Sequence, residues 1–209
     1  MPQPRILRIA EIFPSIQGEG LRQGEATLFI RLSGCNLCCS FCDTKYAWKK
    51  GRGYTLEKVR EKIKELRRCF PARWVCLTGG EPLLQDIGSL VRRLKKEGFK
   101  IQVETNATLY RNLPVDWYSI SPKPENYFFQ PQYRKKAKEV KLVVTRNLSL
   151  KLIKKLRKNF PETTPILLQP QSNRKWSKKL GVKLLNQALR ADLNNVRISL
   201  QLHKVYGLR

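Results

Sequence analysis

The sequence predicts an α/β fold, a partial TIM-type barrel of about six parallel strands with helices outside. Short apolar runs typical of strands alternate with longer runs of helical periodicity through most of the chain. Polar motifs directly follow several of the strands. The 209 residues are too few for a complete eight-stranded barrel of about 250 residues. We therefore expect one domain, residues 1–209, that holds an incomplete barrel.

Strands are predicted where apolar side chains alternate, or form short runs, between turn residues. They lie, in chain order, at residues 6–13, 26–32, 73–77, 99–103, 117–120, 140–144, 165–169 and 196–202. The first two are joined by a loop rich in Gly and other turn residues. Residues 125–137 are polar and aromatic without a clear period, which predicts an excursion or loop.

Helices are predicted where apolar residues recur every three or four positions after a capping residue. Thr55 caps the first helix, which runs to Phe70, and Asp86 caps the second, which Gly98 ends. Two more are predicted at 148–160 and 177–191. Because strands and helices alternate, the sheet should be parallel with right-handed crossovers, and function should lie at the carboxyl ends of its strands.

The chain is strongly basic, with 42 Lys and Arg against 16 Asp and Glu and a net charge of +26. Such a charge attracts polyanions, but the basic residues are spread over most helices without interleaved aromatics, so nucleic acid is expected to bind only non-specifically if at all. No apolar run approaches the ~20 residues of a membrane span, and no apolar signal segment follows the first residues. We expect a cytoplasmic protein without a membrane partner.

Four of the six cysteines fall within residues 35–42. Clustering of this kind favours a metal or cluster site over a disulfide framework. Cys35, Cys39 and Cys42 could bind three irons of a 4Fe–4S cluster, which takes Cys thiolates and would leave the fourth iron open to a small molecule. Cys38 offers alternative spacings. Zinc is the competing metal, but a structural zinc needs a fourth ligand, and His203 is the chain's only histidine.

These residues resemble the radical S-adenosylmethionine (SAM) superfamily, in which a Cys-x3-Cys-x2-Cys loop is followed by a Gly-Gly-Glu-Pro motif. The second motif corresponds to residues 78–82, Thr-Gly-Gly-Glu-Pro. Further motifs, in order, are similar to the 7-carboxy-7-deazaguanine synthase family: they lie at residues 15–20, 29–35, 41–44, 104–106, 121–123, 169–170 and 201–204. The superfamily pattern selects Cys35, Cys39 and Cys42 rather than Cys38 as cluster ligands.

The resemblance implies a carbon–nitrogen lyase that converts 6-carboxy-5,6,7,8-tetrahydropterin to 7-carboxy-7-deazaguanine with loss of ammonia, a step toward queuosine and other 7-deazapurines. It implies a 4Fe–4S cluster, SAM and Mg²⁺ as cofactors. It also implies a homodimer, a reductant such as flavodoxin or ferredoxin, and a short N-terminal segment that binds substrate.

The resemblance also implies roles for individual residues. Cys35, Cys39 and Cys42 would ligate the cluster, and Thr44 would ligate Mg²⁺. SAM would contact Phe41, Cys42, Asp43, Gly80, Ser121, Pro122, Lys123 and Gln169. The pterin would contact Ile16, Gln17, Gly18, Arg31, Thr78, His203 and the C-terminal Arg209. Glu104 would face the substrate as a further catalytic group. A guanidinium such as that of Arg31 suits the carboxylate of the pterin, because it donates two parallel hydrogen bonds.

Simpler roles remain open for several of these residues. Thr44 could cap a helix, Arg31 could form an ordinary ion pair, Glu104 could pair with a lysine, and His203 could be a buried structural histidine. Ala107 stands where family members often have Gly. Two other functions compete: an activase that installs a glycyl radical on a partner protein, and a zinc-containing nucleic-acid-binding domain.

Overall fold

The computed structural model describes residues 6–49, 51–124 and 126–208. The chain divides into two compact units. Unit 1 comprises the described residues within 1–16, 25–105 and 109–117, and unit 2 those within 17–24, 106–108 and 118–209. None of the described helices has the length and apolar character needed to span a bilayer.

Unit 1 is built on strands in the order β3-β1-β2-β4-β5. These strands are β1 (Ile6–Ile16), β2 (Ala26–Leu32), β3 (Arg52–Thr55), β4 (Trp74–Gly79) and β5 (Lys100–Thr105). Strands β2, β4 and β5 are parallel, whereas β1 runs antiparallel to both β2 and β3. The parallel strands are connected through α1 (Leu56–Cys69) and α2 (Gly88–Lys96).

Unit 2 contains strands in the order β6-β7-β8-β9, all parallel where they pair. They are β6 (Trp117–Ile120), whose last three residues belong to this unit, β7 (Ala137–Val144), β8 (Ile166–Pro170) and β9 (Val196–Ile198). The helices are α3 (Tyr133–Lys136), α4 (Leu150–Arg157), α5 (Lys175–Arg190) and α6 (Leu202–Val205).

The α/β class and the parallel strands agree with the sequence prediction. The predicted strands 26–32 and 117–120 have the observed bounds, and Thr55 caps α1 by accepting a hydrogen bond from Lys58 N at 3.3 Å. Asp86 was predicted to cap α2, but the N-cap residue is Ile87; Asp86 Oδ1 accepts from Gly88 N at 3.1 Å from one position further out.

Several details differ from the prediction. The predicted loop of residues 125–137 contains α3. Strand β1 is antiparallel to β2, because the loop of residues 17–25 is shorter than the dozen or more residues that a parallel crossover needs. Strand β3 was not predicted, since it is short and contains a glycine. The last predicted strand, 196–202, ends at Ile198, and Leu202 begins α6 instead.

Candidate functional site

The loop after β2 carries the three cysteines predicted to hold a cluster. All six cysteines are present as thiols, and Cys35, Cys39 and Cys42 are each half-buried, while Cys38 is exposed. A turn in which Cys42 N donates to Cys39 O at 3.1 Å brings the second and third of these cysteines together. The loop thus presents three sheltered thiols and leaves the fourth, Cys38, facing solvent.

Electrostatics at Cys35 show that the three thiols are neighbours. Burial raises the pKa of the Cys35 thiol, and the charges of Glu81, Cys39 and Cys42 raise it further, although a hydrogen bond from the backbone of Leu37 acts in the opposite direction. Bound iron would remove this penalty, because coordinating thiols lose their protons to the metal. The chemistry of these donors therefore fits an iron–sulfur cluster.

A zinc ion and a 4Fe–4S cluster place different demands on these cysteines. Among residues 6–49, 51–124 and 126–208, no three His, Cys, Asp or Glu side chains are grouped so as to hold one metal ion. A structural zinc needs four ligands around a single ion, whereas a 4Fe–4S cubane takes one thiolate at each of several separate irons. Three cysteines of one loop can therefore serve a cluster, whereas a structural zinc would need a fourth ligand.

The glycine pair after β4 packs directly on the cysteine loop. Gly80 N donates to Leu32 O at 3.1 Å, and Glu81 N donates to Gly34 O at 2.8 Å. A Cβ atom on Gly80 would collide with Gly34 O and lie 2.9 Å from Cys35 Cβ. Because only glycine allows this approach, the Gly-Gly motif forms one wall beside the predicted cluster ligands.

The residues that flank Cys42 were predicted to contact SAM and Mg²⁺. Phe41 is half-buried and Asp43 is exposed. The hydroxyl of Thr44 donates to Asp43 Oδ1 at 3.3 Å and lies 3.8 Å from Cys42 Sγ. Thr44 precedes a short 3-10 turn (Lys45–Trp48), but its side chain makes no capping hydrogen bond. The helix-cap role is therefore not realised, and the hydroxyl lies beside the third predicted cluster ligand.

A row of polar side chains crosses the strands of unit 1 at the carboxyl end of β2 and β4. Glu11 in β1 is opposite Arg31 in β2, which is opposite Thr78 in β4. Glu104 follows Val103, the partner of Leu77, and so lies at the level of Thr78 in β5. Directly opposite residues share one face of a sheet. Three predicted substrate residues thus stand side by side with Glu11, which the sequence analysis did not select.

An apolar layer lies one step below this row on the same face. It consists of Phe13, Phe29 and Cys76, which are opposite one another on β1, β2 and β4 and form a buried cluster. The two phenylalanine rings are stacked with centroids 5.2 Å apart. Cys76 is fully buried, as expected for a small apolar residue, whereas Cys69 at the end of α1 is exposed. The layer forms a buried apolar surface beneath the polar row.

Arg31 and Glu104 in this row have partners that bear on the simpler, ion-pairing roles predicted for them. Arg31 Nε does form an ion pair, with Glu11 Oε1 at 2.7 Å. Glu104 Oε1 accepts from Gln102 Nε2 at 3.2 Å. Behind the row, the buried carboxylate of Glu81 accepts from Thr105 Oγ1 at 2.8 Å and from Leu83 N at 3.0 Å. Each carboxylate of this region therefore has a defined hydrogen-bond partner.

In unit 2, the loop of residues 17–24 is held by the carboxylate of Glu19. Glu19 Oε2 pairs with Lys141 Nζ at 2.7 Å, and Glu19 Oε1 accepts from Gln201 Nε2 at 2.8 Å. Leu21 N in the same loop donates to Glu139 Oε2 at 2.6 Å. Strand β7 and the C-terminal segment thus fix the backbone of the loop that contains the predicted pterin residues Gln17 and Gly18.

The C-terminal segment also contacts this loop directly. Leu202 N donates to Gly18 O at 2.8 Å. His203 is half-buried and lies so close to Gly18 that a Cβ atom there would collide with its ring. The alternative that His203 is a buried structural histidine is therefore wrong, because the residue is only half-buried. Arg209 lies outside the described residues.

The remaining predicted SAM residues follow β6 and end β8. Lys123 Nζ donates to Ser121 Oγ at 2.7 Å, and Ser121 Oγ donates to Lys141 O at 3.0 Å. Pro122 is buried beside them. Gln169 is also buried and accepts from Ser199 Oγ at 3.4 Å. These side chains occupy the carboxyl ends of parallel strands, where ligands bind in α/β sheets.

Sequence patterns did not indicate that Glu11 belongs to the polar row of unit 1 or that Lys141 pairs with Glu19 in unit 2. Glu11 stands two residues before Phe13 in an alternating strand, so its face was readable although its partner was not. Lys141 lies in an apolar strand, where a lysine is rarely buried unless it is paired. That signal could have indicated an acidic partner but not which one.

The chain is similar to known proteins in both sequence and fold. Residues 29–178 match the Radical SAM superfamily. A 7-carboxy-7-deazaguanine synthase of Aquifex aeolicus is 35% identical over 98% of this chain and 95% of its own length. The enzyme of that name from Escherichia coli K12 is 33% identical over 96% of this chain and 98% of its own. The crystal structure of QueE from Escherichia coli aligns with a TM-score of 0.79 at 29% identity and covers 95% of both chains.

Proposed function

Because this chain belongs to the radical SAM superfamily and, within it, to the 7-carboxy-7-deazaguanine synthase family, we propose that it converts 6-carboxy-5,6,7,8-tetrahydropterin to 7-carboxy-7-deazaguanine. Ammonia leaves in this reaction, and the product leads toward queuosine. The observation that carries the proposal is the Cys35–Cys39–Cys42 loop with Gly80 packed against it. The named relatives favour this reaction over the activation of a glycyl-radical enzyme.

The residues of the cysteine loop would hold the cofactors. Cys35, Cys39 and Cys42 would ligate a 4Fe–4S cluster, which together with SAM supplies the radical chemistry when bound. Gly80 would contact SAM through its backbone, because close packing on Gly34 and Cys35 places that backbone beside the proposed cluster ligands. The hydroxyl of Thr44 is an oxygen ligand of the kind that Mg²⁺ prefers.

The polar row of unit 1 would orient the substrate. Arg31 would donate two hydrogen bonds to the pterin carboxylate, and Thr78 would contact the pterin beside it. Glu104 would accept or hold a proton of the substrate, because its carboxylate is only partly buried and held by Gln102. The Phe13, Phe29 and Cys76 layer would exclude water from below.

Further contacts to SAM and to the pterin are assigned to individual residues. We assign SAM contacts to Phe41, Asp43, Ser121, Pro122, Lys123 and Gln169, and pterin contacts to Ile16, Gln17, Gly18, His203 and Arg209. The contact of His203 with Gly18 supports the pterin assignment, because one glycine backbone and one imidazole would face the same ligand. We further propose that residues 1–209 act as one radical SAM core domain in the cytoplasm, as a homodimer, with flavodoxin or ferredoxin as electron donor.

The test is anaerobic reconstitution with iron and sulfide, followed by turnover with carboxytetrahydropterin, SAM and Mg²⁺. We expect ammonia and 7-carboxy-7-deazaguanine to form while SAM is not consumed. Cys39→Ala should lose both the visible absorption of the cluster and turnover, because one iron loses its ligand.

Cys38→Ala is the matched control, since Cys38 is an exposed neighbour on the same loop. It should keep cluster and product formation. Turnover by Cys39→Ala, or loss of the cluster in Cys38→Ala alone, would contradict the ligand assignment.

A further inference from the structure

We propose that Glu11 is a positioning residue that fixes the guanidinium of Arg31 for end-on binding of the substrate carboxylate. The inference rests on the proposed function and deepens it. It names the residue that decides how Arg31 presents its donors, rather than another residue that touches the substrate.

A bulge in β1 places Glu11 beside Arg31. Ile9 is opposite Leu32, and the next opposed pair is Glu11 with Arg31, so Ala10 is the extra residue. Regular antiparallel pairing would have put Ala10 opposite Arg31. Bulges re-aim side chains and often lie next to active sites. Here the irregularity exchanges an alanine for a carboxylate at the position next to Arg31.

Glu11 contacts Nε of Arg31 and not the two terminal nitrogens of the guanidinium. Arg31 Nε donates to Glu11 Oε1 at 2.7 Å, with the two side chains only 17% and 16% exposed. Within the described residues, no hydrogen bond reaches the two terminal nitrogens of Arg31. A carboxylate can bind a guanidinium through these two nitrogens in a bidentate pair. Glu11 thus blocks the side approach and leaves the end approach.

Two further contacts limit the freedom of this pair. The hydroxyl of Tyr46 donates to the same oxygen, Glu11 Oε1. The guanidinium of Arg31 lies over the Phe13 ring, 5.7 Å from its centroid. Tyr46 belongs to the Lys45–Trp48 turn directly after Thr44, so Glu11 links the arginine to the end of the cysteine loop. Neighbours of this kind lock the orientation of a binding group.

Simple charge and positioning predict opposite effects. The negative charge of Glu11 repels an anionic substrate, so its removal would tighten binding if charge alone mattered. If Glu11 acts by orienting Arg31, its removal weakens binding of the carboxylate. The sign of the change in KM therefore separates the two explanations.

The experiment compares reconstituted wild type with Glu11→Gln and Glu11→Ala. We expect KM for carboxytetrahydropterin to rise about tenfold in Glu11→Ala, the lower end of the loss found when a partner that orients a metal ligand is removed, and less in Glu11→Gln. KM for SAM should stay unchanged. The inhibition constant of a tetrahydropterin without the carboxyl group should also stay unchanged. In an Arg31→Ala background, Glu11→Ala should add nothing.

Glu97→Gln is the matched control. Glu97 is also 16% exposed in its side chain and pairs with Arg60 Nε at 2.6 Å and Arg93 Nε at 3.1 Å, outside the polar row. Glu97→Gln should leave KM for the pterin unchanged, even if its melting temperature falls as much as that of the Glu11 variants. If Glu11→Ala does not fold, Glu11→Gln decides.

Three results would overturn the inference: an unchanged or lower KM for the pterin in the Glu11 variants, an equal loss for the carboxyl-free pterin, or an equal rise in Glu97→Gln. An inactive wild type would instead refute the proposed function, so the two failures are distinguishable.

Discussion

At the scale of single residues, Glu19 joins three segments of unit 2 through one carboxylate. Burial by itself raises the pKa of Glu19, but the charge of Lys141 and hydrogen bonds from Lys141, Gln201 and Gln169 outweigh it, so the pKa lies far below its usual range. A carboxyl with a lowered folded-state pKa stabilises the fold above the unfolded value, about 4.3, and that stabilisation is lost as pH falls. The loop of Gln17 and Gly18 should therefore be acid-sensitive.

We expect Glu19→Gln to lower the free energy of unfolding by about 2 kcal/mol at pH 7, because Lys141 is left buried with a weaker partner. The difference from wild type should shrink below about pH 4, as the wild-type carboxylate loses its advantage. Urea unfolding at pH 7 and pH 3 measures this. Glu61→Gln, which removes a carboxylate at an exposed position of α1, is the control and should change the free energy of unfolding by no more than about 0.5 kcal/mol at pH 7. A constant difference between the two pH values would refute the prediction.

At the scale of elements, α5 shows how a helix stripe and a sheet meet. Its buried residues, Ser177, Gly181, Leu184 and Ala188, recur at helical spacing. A Cβ atom on Gly181 would lie 3.4 Å from Ile198 Cδ1 and 3.6 Å from Val144 Cγ2. These are ordinary contact distances, so the helix leaves room for one methyl group against β7 and β9.

Gly181→Ala should raise the free energy of unfolding by about 0.5–1 kcal/mol, since glycine within a helix costs that much relative to alanine. Thermal and urea unfolding measure the change. Val182→Ala, at the exposed neighbouring position, is the control, and its effect should stay within about 0.5 kcal/mol. A destabilised Gly181→Ala would show that the contact between α5 and the strands is tighter than these distances.

At the scale of the whole molecule, the net charge of +26 opposes compactness. Salt screens this repulsion, so we expect the melting temperature to rise by a few degrees between about 0.05 and 0.5 M NaCl. The rise should shrink toward pH 10, because the sequence pI is about 10.2. Scanning calorimetry of one preparation at both pH values tests this. A melting temperature that falls with salt at pH 7 would show that attractive ion pairs dominate instead.

Local patterns of the sequence determined much of this protein. The α/β class, the strands β2 and β6, the Thr55 cap and the clustering of four cysteines within residues 35–42 follow from alternation, capping and spacing. Each of these signals lies within a few residues of chain, where side-chain and backbone preferences act directly.

Only the tertiary structure decided which distant residues became partners. The bulge at Ala10 set Glu11 opposite Arg31, and packing brought Lys141 to Glu19 and His203 to Gly18. Gly18 and His203 lie 185 residues apart in the sequence. Strand register and buried ion pairs depend on contacts between such distant segments. A shift of one residue in register changes which face a side chain occupies, and no local preference fixes it.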